Sequence, residues 1–268
     1  LQEALTMLGL LVESITEVHG SPVLEVEVTS NRPDCLSYIG IAREVSALYQ
    51  RPLKSPPVQE TLTATPDTVP FKIEIRDADL CPRYVGLVLD GVRIGESPRW
   101  MQQRLEAAGM RPLNNIVDIT NYVLLEMGHP LHAFDFDILR QGKIVVARAK
   151  QGAKMKTLDG TDRDLDGDML MINDGEGPVA IAGVMGGLNS EISQSTTRVL
   201  VESAYFQPAS IRRTSRKLGL SSEAGYRFER GADWENTIPA IARTCYLIQQ
   251  LAGGRIAGSM LDVYPDKK

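Results

Sequence analysis

The stretch "RVLVESAYF", Arg198 to Phe206, decides how the rest of the chain is read. Val199, Leu200, Val201, Ala204, Tyr205 and Phe206 leave almost no alternation, and near-continuous apolar strands are covered on both faces. A strand of this kind belongs in the middle of a molecule, with other elements above and below it. Glu202 interrupts the run. Its carboxylate is expected to be desolvated, and an ionised group in that setting must be paired or hydrogen-bonded. Such groups are enriched at functional sites, but a structural pair with an arginine explains the residue nearly as well at this level.

Working outward, "FKIEI" (71–75), "RYVGLVLDGVRI" (83–94), "KIVVARA" (143–149), "DMLMI" (168–172) and "VAIAGV" (179–184) read as further strands. "SPRWMQQRLEAAG" reads as a helix with Ser97 as N-cap, Pro98 in the first turn and Gly109 at the exit. "IVDI" (116–119) reads as a short strand, with Thr120 capping a helix over "NYVLLEMG". Two helices close the chain, over about 208–218 and 238–252, the second apolar at Ile238, Ile241, Cys245, Ile248 and Leu251. Most connections are long or run strand to strand, so regular β-α-β alternation is absent, and an α+β fold rather than a doubly wound sheet is expected.

Toward the N-terminus, Leu1, Leu5 and Leu8 have helical spacing with Gly9 as a stop. "LVESITEV" and "VLEVEVTS" flank "HGSP" as a hairpin with one wet face. "SNRPDCLSYIGIAREVSALYQ" follows as a helix with Asp34 as N-cap and Tyr38, Ile41, Ala42, Val45, Leu48 and Tyr49 on its apolar positions. Pro52, Pro56, Pro57, Pro66 and Pro70 then mark an extended connector. We therefore divide the chain into a small first domain (1–55), a proline-rich linker (56–70) and a larger domain (71–268).

The chain has 268 residues, 43% hydrophobic and 24% charged, enough to bury a sizeable core. No apolar run is long enough to span a membrane, and acids stand where a signal peptide would carry positive charge. Cys35, Cys81 and Cys245 are odd in number and lack C-x-x-C spacing, so a disulfide frame or zinc knuckle is unsupported and a reducing cytoplasm fits. A net charge of −5 argues against a nonspecific polyanion binder. It leaves room for a local basic face at Arg212, Arg213, Arg216 and Lys217, with Arg227 and Arg230 beyond, although a solvated helix face is the default.

His129, His132 and Asp135 have H-x-x-H-x-x-D spacing, but Gly128, Pro130 and Leu131 argue against a helix that would align them, and no spaced Cys completes a zinc set. No metal is expected. "AIAGVMGG" (180–187) places Gly183, Gly186 and Gly187 after a strand; it lacks the G-x-G-x-x-G spacing, so a tight turn is the default and close approach of a ligand the alternative. "GLSSEAGYRFERG" (219–231) reads as a loop.

Taken in order, "SNRPDCLSYIGIAREVSAL", "MRPLNNIVDITNYVLLEMGHPLHAFD", "AIAGVMGG…VLVESAYFQPASIRRTSRKLGL" and "SSEAGYRFERGAD" closely resemble the β subunit of bacterial phenylalanyl-tRNA synthetase. The likeness runs over nearly the whole chain. It implies a three-layer β/β/α sandwich that edits tRNA over the larger domain, and a small helix-hairpin-helix-type α/β first domain. The OB-fold that family members insert near "HGSP" is replaced by a short turn, and the family continues past "LDVYPDKK", so the chain resembles a fragment or deletion product. The resemblance further implies hydrolysis of tyrosine mis-attached to tRNA(Phe), with a non-catalytic tRNA-binding module as the alternative.

Carried over residue by residue, the family's editing pocket falls on Thr120, Asn121 and His132 as catalytic residues, and on Glu202, Gly183, Gly186, Ser222 and Ala224 as substrate-binding residues. Arg212, Arg213, Arg216 and Lys217 are the tRNA-binding candidates. Ser222 stands where family members often have threonine, keeping the hydroxyl. Implied partners are the tRNA(Phe) 3′ end, tyrosine and, in a heterotetramer, the synthetase α subunit. No cofactor is implied for this chain; the complete synthetase uses ATP and Mg. His129 maps to no role in the family and is read as turn structure.

Overall fold

A computed structural model describes residues 1–64 and 69–267; Pro66 of the connector and Lys268 lie outside the described residues. The first unit runs α1 (Gln2–Met7), β1 (Leu11–Val18), β2 (Ser21–Glu27) and α2 (Tyr38–Tyr49). β1 and β2 form the expected antiparallel hairpin, closed between Val18 and Ser21 by His19 and Gly20 with φ of 51° and 73°. Positive φ at both central residues is what a two-residue turn needs to match strand twist. Leu5, Leu10, Val12 and Cys35 form its small core, with Leu24, Val26, Ile41 and Val45 packed against them.

The N-cap of α2 is Ser37, whose Oγ accepts from the Gly40 N–H at 3.0 Å, and not Asp34. Asp34 lies a turn earlier, where Arg32 takes its carboxylate in two hydrogen bonds of 3.0 and 2.8 Å. Gly40 is required at that junction, because a Cβ there would sit 1.8 Å from the Asp34 carbonyl oxygen. The connector then runs along the larger unit, donating from Gln59 N–H to the Ala242 carbonyl and lending the Pro57 carbonyl to Arg243.

The larger unit contains β3 (Lys72–Ile75), β4 (Arg83–Val92), α3 (Arg99–Ala107), α4 (Asn115–Met127), β5 (Leu131–Asp135), β6 (Lys143–Arg148), β7 (Lys154–Lys156) and β8 (Asp162–Asp164). It continues with β9 (Leu170–Asn173), β10 (Pro178–Ile181), β11 (Met185–Gly186), β12 (Arg198–Tyr205), α5 (Pro208–Leu218), α6 (Glu223–Phe228), α7 (Thr237–Leu251), β13 (Gly253–Ile256) and β14 (Leu261–Val263). One sheet has the order β13-β4-β12-β5, with β14 also on β4; a second has the order β11-β10-β9-β6-β3, and β7 and β8 pair separately. Only β3 and β6 pair in parallel among the described strands, so the fold is mixed α+β without β-α-β winding.

β12 is central, as its apolar run requires. On one face Val199 and Val201 join Val85, Leu87 and Leu89 of β4 against Met101, Ile116, Ile119, Ile241, Cys245 and Ile248 of α3, α4 and α7. On the other, Leu200 and Ala204 join Tyr84, Val88 and Phe134 against Ile144, Val146, Leu170 and Ile172 of the second sheet. Each fully buried aliphatic side chain here contributes about 1.5–3 kcal/mol by leaving water.

Three local expectations are corrected. "IVDI" is the first half of α4, not a strand: Asn114 caps the helix by accepting from the N–H groups of Ile116 and Val117 at 3.1 and 3.0 Å. Thr120 is therefore interior to the helix and no N-cap; its hydroxyl donates to the Val117 carbonyl at 2.7 Å. A cap plus a buried 3.6-residue stripe at Ile116, Ile119 and Val123 outweighs the β propensity of two isoleucines and a valine. Ser97 does not cap α3 either; Pro98 holds that position, and the Ser97 hydroxyl donates to Asp118 at 2.6 Å. Finally, residues 219–231 contain the helix α6.

Candidate functional site

Glu202 stands where three strands are read across. In the register of β12, its partner on β4 is Gly86 and its partner on β5 is His132, so all three project from the sheet face that meets the second sheet. The hairpin-like return that brings β5 here begins at Gly128, the left-handed C-cap of α4 with φ 73°, after which Pro130 keeps the chain extended. Glu202 is 7% exposed. Tyr84 of β4, fully buried, donates its hydroxyl to Glu202 Oε2 at 2.5 Å. Burial pushes the Glu202 carboxyl up to about 7, with the Tyr84 hydrogen bond acting in the opposite direction.

Burial pulls the His132 imidazole down to about 4, so it is neutral near pH 7 and has a lone pair to offer. Its ring packs edge-on against Phe134, centroids 4.5 Å apart. Facing these groups, β10 and β11 are joined by a tight turn in which Gly183 has φ +66°. A Cβ on Gly183 would lie 2.9 Å from both Phe206 and Phe228, and one on Gly186 would lie 2.7 Å from His132 Cε1 and 2.8 Å from Leu158. The glycines thus let backbone close over the imidazole and the carboxylate. The cavity they border is about 80 Å³, with His132, Glu202, Gly183, Gly186 and Ala224 in its wall.

Five of the eight expected pocket residues are therefore brought together. Ser222 stands beside them with its hydroxyl committed: Oγ accepts from the Gly225 N–H at 3.1 Å, capping α6, and donates to the Val184 carbonyl at 3.0 Å. It ties the helix that carries Ala224 to the glycine turn. Thr120 and Asn121 are not in the cavity wall; they lie mid-way along α4, in the layer that packs on the far face of the central sheet.

His129 is separate as well. It is fully buried, burial pulls it to about 4 against the opposing pull of the Ala204 backbone, and it packs edge-on to Phe228 at 6.3 Å. Asp135 is committed to the Thr196 hydroxyl at 2.5 Å and the Asp137 N–H at 3.1 Å. The histidines and Asp135 thus do not form a ligand set. Asp34, Cys35 and Glu44 do converge among the described residues, but the Arg32 guanidinium fills the space between them. The basic cluster of α5 is split by face: Ile211, Thr214 and Ser215 are buried, whereas Arg212, Arg213, Arg216 and Lys217 are exposed, Lys217 paired with Asp166. Arg227 points inward, donating to the Leu36 carbonyl at 3.0 Å and so tying α6 to the first unit.

Residues 80–253, which carry every element of this cavity, match the family model described as the B3/4 domain. The chain belongs to the B3/4 domain family. Its B3/4 domain lies within a longer likeness to phenylalanine–tRNA ligase β subunits. The chain is 52% identical over 245 residues to that of Geobacter metallireducens, 52% over 246 residues to that of Moorella thermoacetica and 47% over 259 residues to that of Carboxydothermus hydrogenoformans. These matches cover 91%, 92% and 97% of this chain but only 30%, 31% and 32% of the relatives, so the chain spans about a third of their length.

Proposed function

We propose that this B3/4 domain is the editing part of a phenylalanine–tRNA ligase β subunit and hydrolyses tyrosine mis-attached to tRNA(Phe). The observation that carries the reading is the direct opposition of Glu202 and His132 on adjacent strands under a glycine-closed roof. Glu202 accepts a hydrogen bond from the substrate's phenol, through the carboxylate oxygen that Tyr84 leaves open. Phenylalanine in the same cavity leaves a desolvated carboxylate unpaired, and sites of this type discriminate by about 10⁴-fold or more. An apolar synthetic site rejects an added hydroxyl far less well, which is why a second site is useful.

In this reading water attacks the carbonyl carbon of the ester, and the ribose oxygen of the terminal adenosine leaves with a proton as tyrosine is released. Neutral His132 accepts a hydrogen bond from the water and orients it toward the carbonyl. Thr120 and Asn121 act from behind: α4 leads through Gly128 into β5 and so sets where His132 stands. The exposed face of α5, with Arg212, Arg213 and Arg216, meets tRNA phosphates. The two sheets and the helices form a β/β/α sandwich over 71–268, with 1–55 a separate first domain and 56–70 its tether. The tRNA, the synthetase α subunit, and the ATP and Mg used by the complete cytoplasmic enzyme belong to the same reading.

Incubating the chain with Tyr-tRNA(Phe) tests this. Tyrosine release well above buffer is expected, slowed at least about 10-fold in His132→Ala. No release from a folded sample that retains tRNA would sink it. That outcome favours the second reading, a tRNA-binding module without chemistry, which draws support from Glu202 already having a phenol partner in Tyr84 and from the small cavity.

A further inference from the structure

We propose that Tyr84 is a positioning residue for specificity: its hydroxyl fixes the Glu202 carboxylate so that one oxygen stays turned into the cavity as the acceptor for a substrate phenol. The proposal rests on the editing reading above and names a group in it that lies outside the cavity wall. The register explains how Tyr84 reaches Glu202. Its own cross-strand partner is Ala204, two residues along β12, and the residue directly opposite Glu202 is Gly86. With no side chain at Gly86, the phenol leans diagonally over the gap and meets Oε2 at 2.5 Å. The space over Gly86 is closed from the second sheet, because a Cβ there would come within 3.0 Å of Ile73 and 3.2 Å of Phe71. Tyr84 is therefore held on a fixed side of the carboxylate, while Glu202, and not Tyr84, lines the cavity.

This arrangement does two things. Occupying one oxygen with a rigid, fully buried donor leaves a single direction in which the other can be satisfied, which is how buried networks specify geometry. It also supports the ionised form against burial. The other titratable groups facing the carboxylate do not take that role: burial keeps His132 of β5 neutral and pushes the Cys81 thiol, in the segment before β4, well above its ordinary value. Ile172, Ala180 and Ile181, which face it from the second sheet, are apolar.

The test compares the full chain with Tyr84→Phe, a change that removes one oxygen atom from a packed ring, and with Glu202→Gln. The Glu202 carboxyl carbon is followed by NMR in chain labelled with ¹³C at glutamate carboxyls, its signal assigned by its loss in Glu202→Gln. Deacylation of Tyr-tRNA(Phe) and Phe-tRNA(Phe) is measured from pH 6 to 9. In Tyr84→Phe the Glu202 midpoint is expected to rise by at least about one pH unit. The Tyr-over-Phe preference should fall about 10-fold at pH 7 and partly recover at pH 9, where the carboxyl ionises again. In the Glu202→Gln background, Tyr84→Phe should add little. An unmoved midpoint, or a preference that stays as in the wild type, overturns the proposal; a fall in preference of equal size at every pH does so too. If the wild-type chain releases no tyrosine, the editing reading fails, whereas the carboxyl titration still decides whether Tyr84 controls Glu202.

Discussion

β12 has two faces built from similar residues. On the helix side, Val199 and Val201 are fully buried against α4 and α7, and Ser203 between Val201 and Tyr205 donates to the Thr237 carbonyl at 2.8 Å. On the sheet side, Leu200 and Ala204 are just as buried, but Glu202 between them borders a cavity of about 80 Å³. The first face is filled; the second borders a cavity whose wall at Gly183 and Gly186 is backbone without side chains. Close packing of β12 is thus interrupted on its sheet side, at the place where a polar group and its partners are lined up by register. What distinguishes the faces is glycine placement and a hydrogen-bond donor in reach, and the depth of burial is the same.

Putting a carboxylate on the filled face breaks the comparison most strongly. Val201→Asp buries a charge with neither a donor nor a void beside it, and a loss of at least about 4 kcal/mol is expected in urea unfolding. Next is Gly186→Val, which fills the open face. Its Cβ would meet His132 Cε1 at 2.7 Å, so a loss of about 1–3 kcal/mol from overpacking should accompany loss of tyrosine release. Retained release in that variant would show that the chemistry lies elsewhere.

A pH-dependent effect of comparable size falls on Glu202 itself. Its folded carboxyl titrates at about 7 against an ordinary 4.5, so the folded state holds the proton more tightly than the unfolded chain. The stability this contributes is complete below pH 4.5 and is lost as pH rises through 7. Glu202→Gln removes that slope. Relative to wild type, the variant should gain on the order of 2–3 kcal/mol between pH 4.5 and pH 8, read from urea midpoints at the two pH values.

Both faces of β12 were legible in sequence because an unbroken apolar run has few other interpretations, and Glu202 stood out as the charge within it. The helix-side packing of α7 followed from its spacing in the same way. α4 was misread because "IVDI" has strand propensity, and only the Asn114 cap and the long-range fit of Ile116 and Ile119 decide against it. β5 was missed because the Gly128–Pro130 turn masks a short strand whose pairing is with a segment 70 residues later, His132 opposite Glu202. Tyr84 was missed for a related reason. In "RYVGLVL" nothing sets the tyrosine apart until the β4–β12 register places it diagonally to Glu202. Ser222 is singled out only by the family resemblance, and its clamp on the Val184 carbonyl belongs to tertiary structure.

A structure of the chain with tyrosine bound tests the central claim most directly. The account predicts the phenol oxygen at about 2.5–2.8 Å from the Glu202 oxygen that Tyr84 leaves open, with the ring under Gly183 and Gly186 and the carboxyl end toward His132. Tyrosine ordered anywhere else, or in the cavity with its phenol turned away from Glu202, would contradict it.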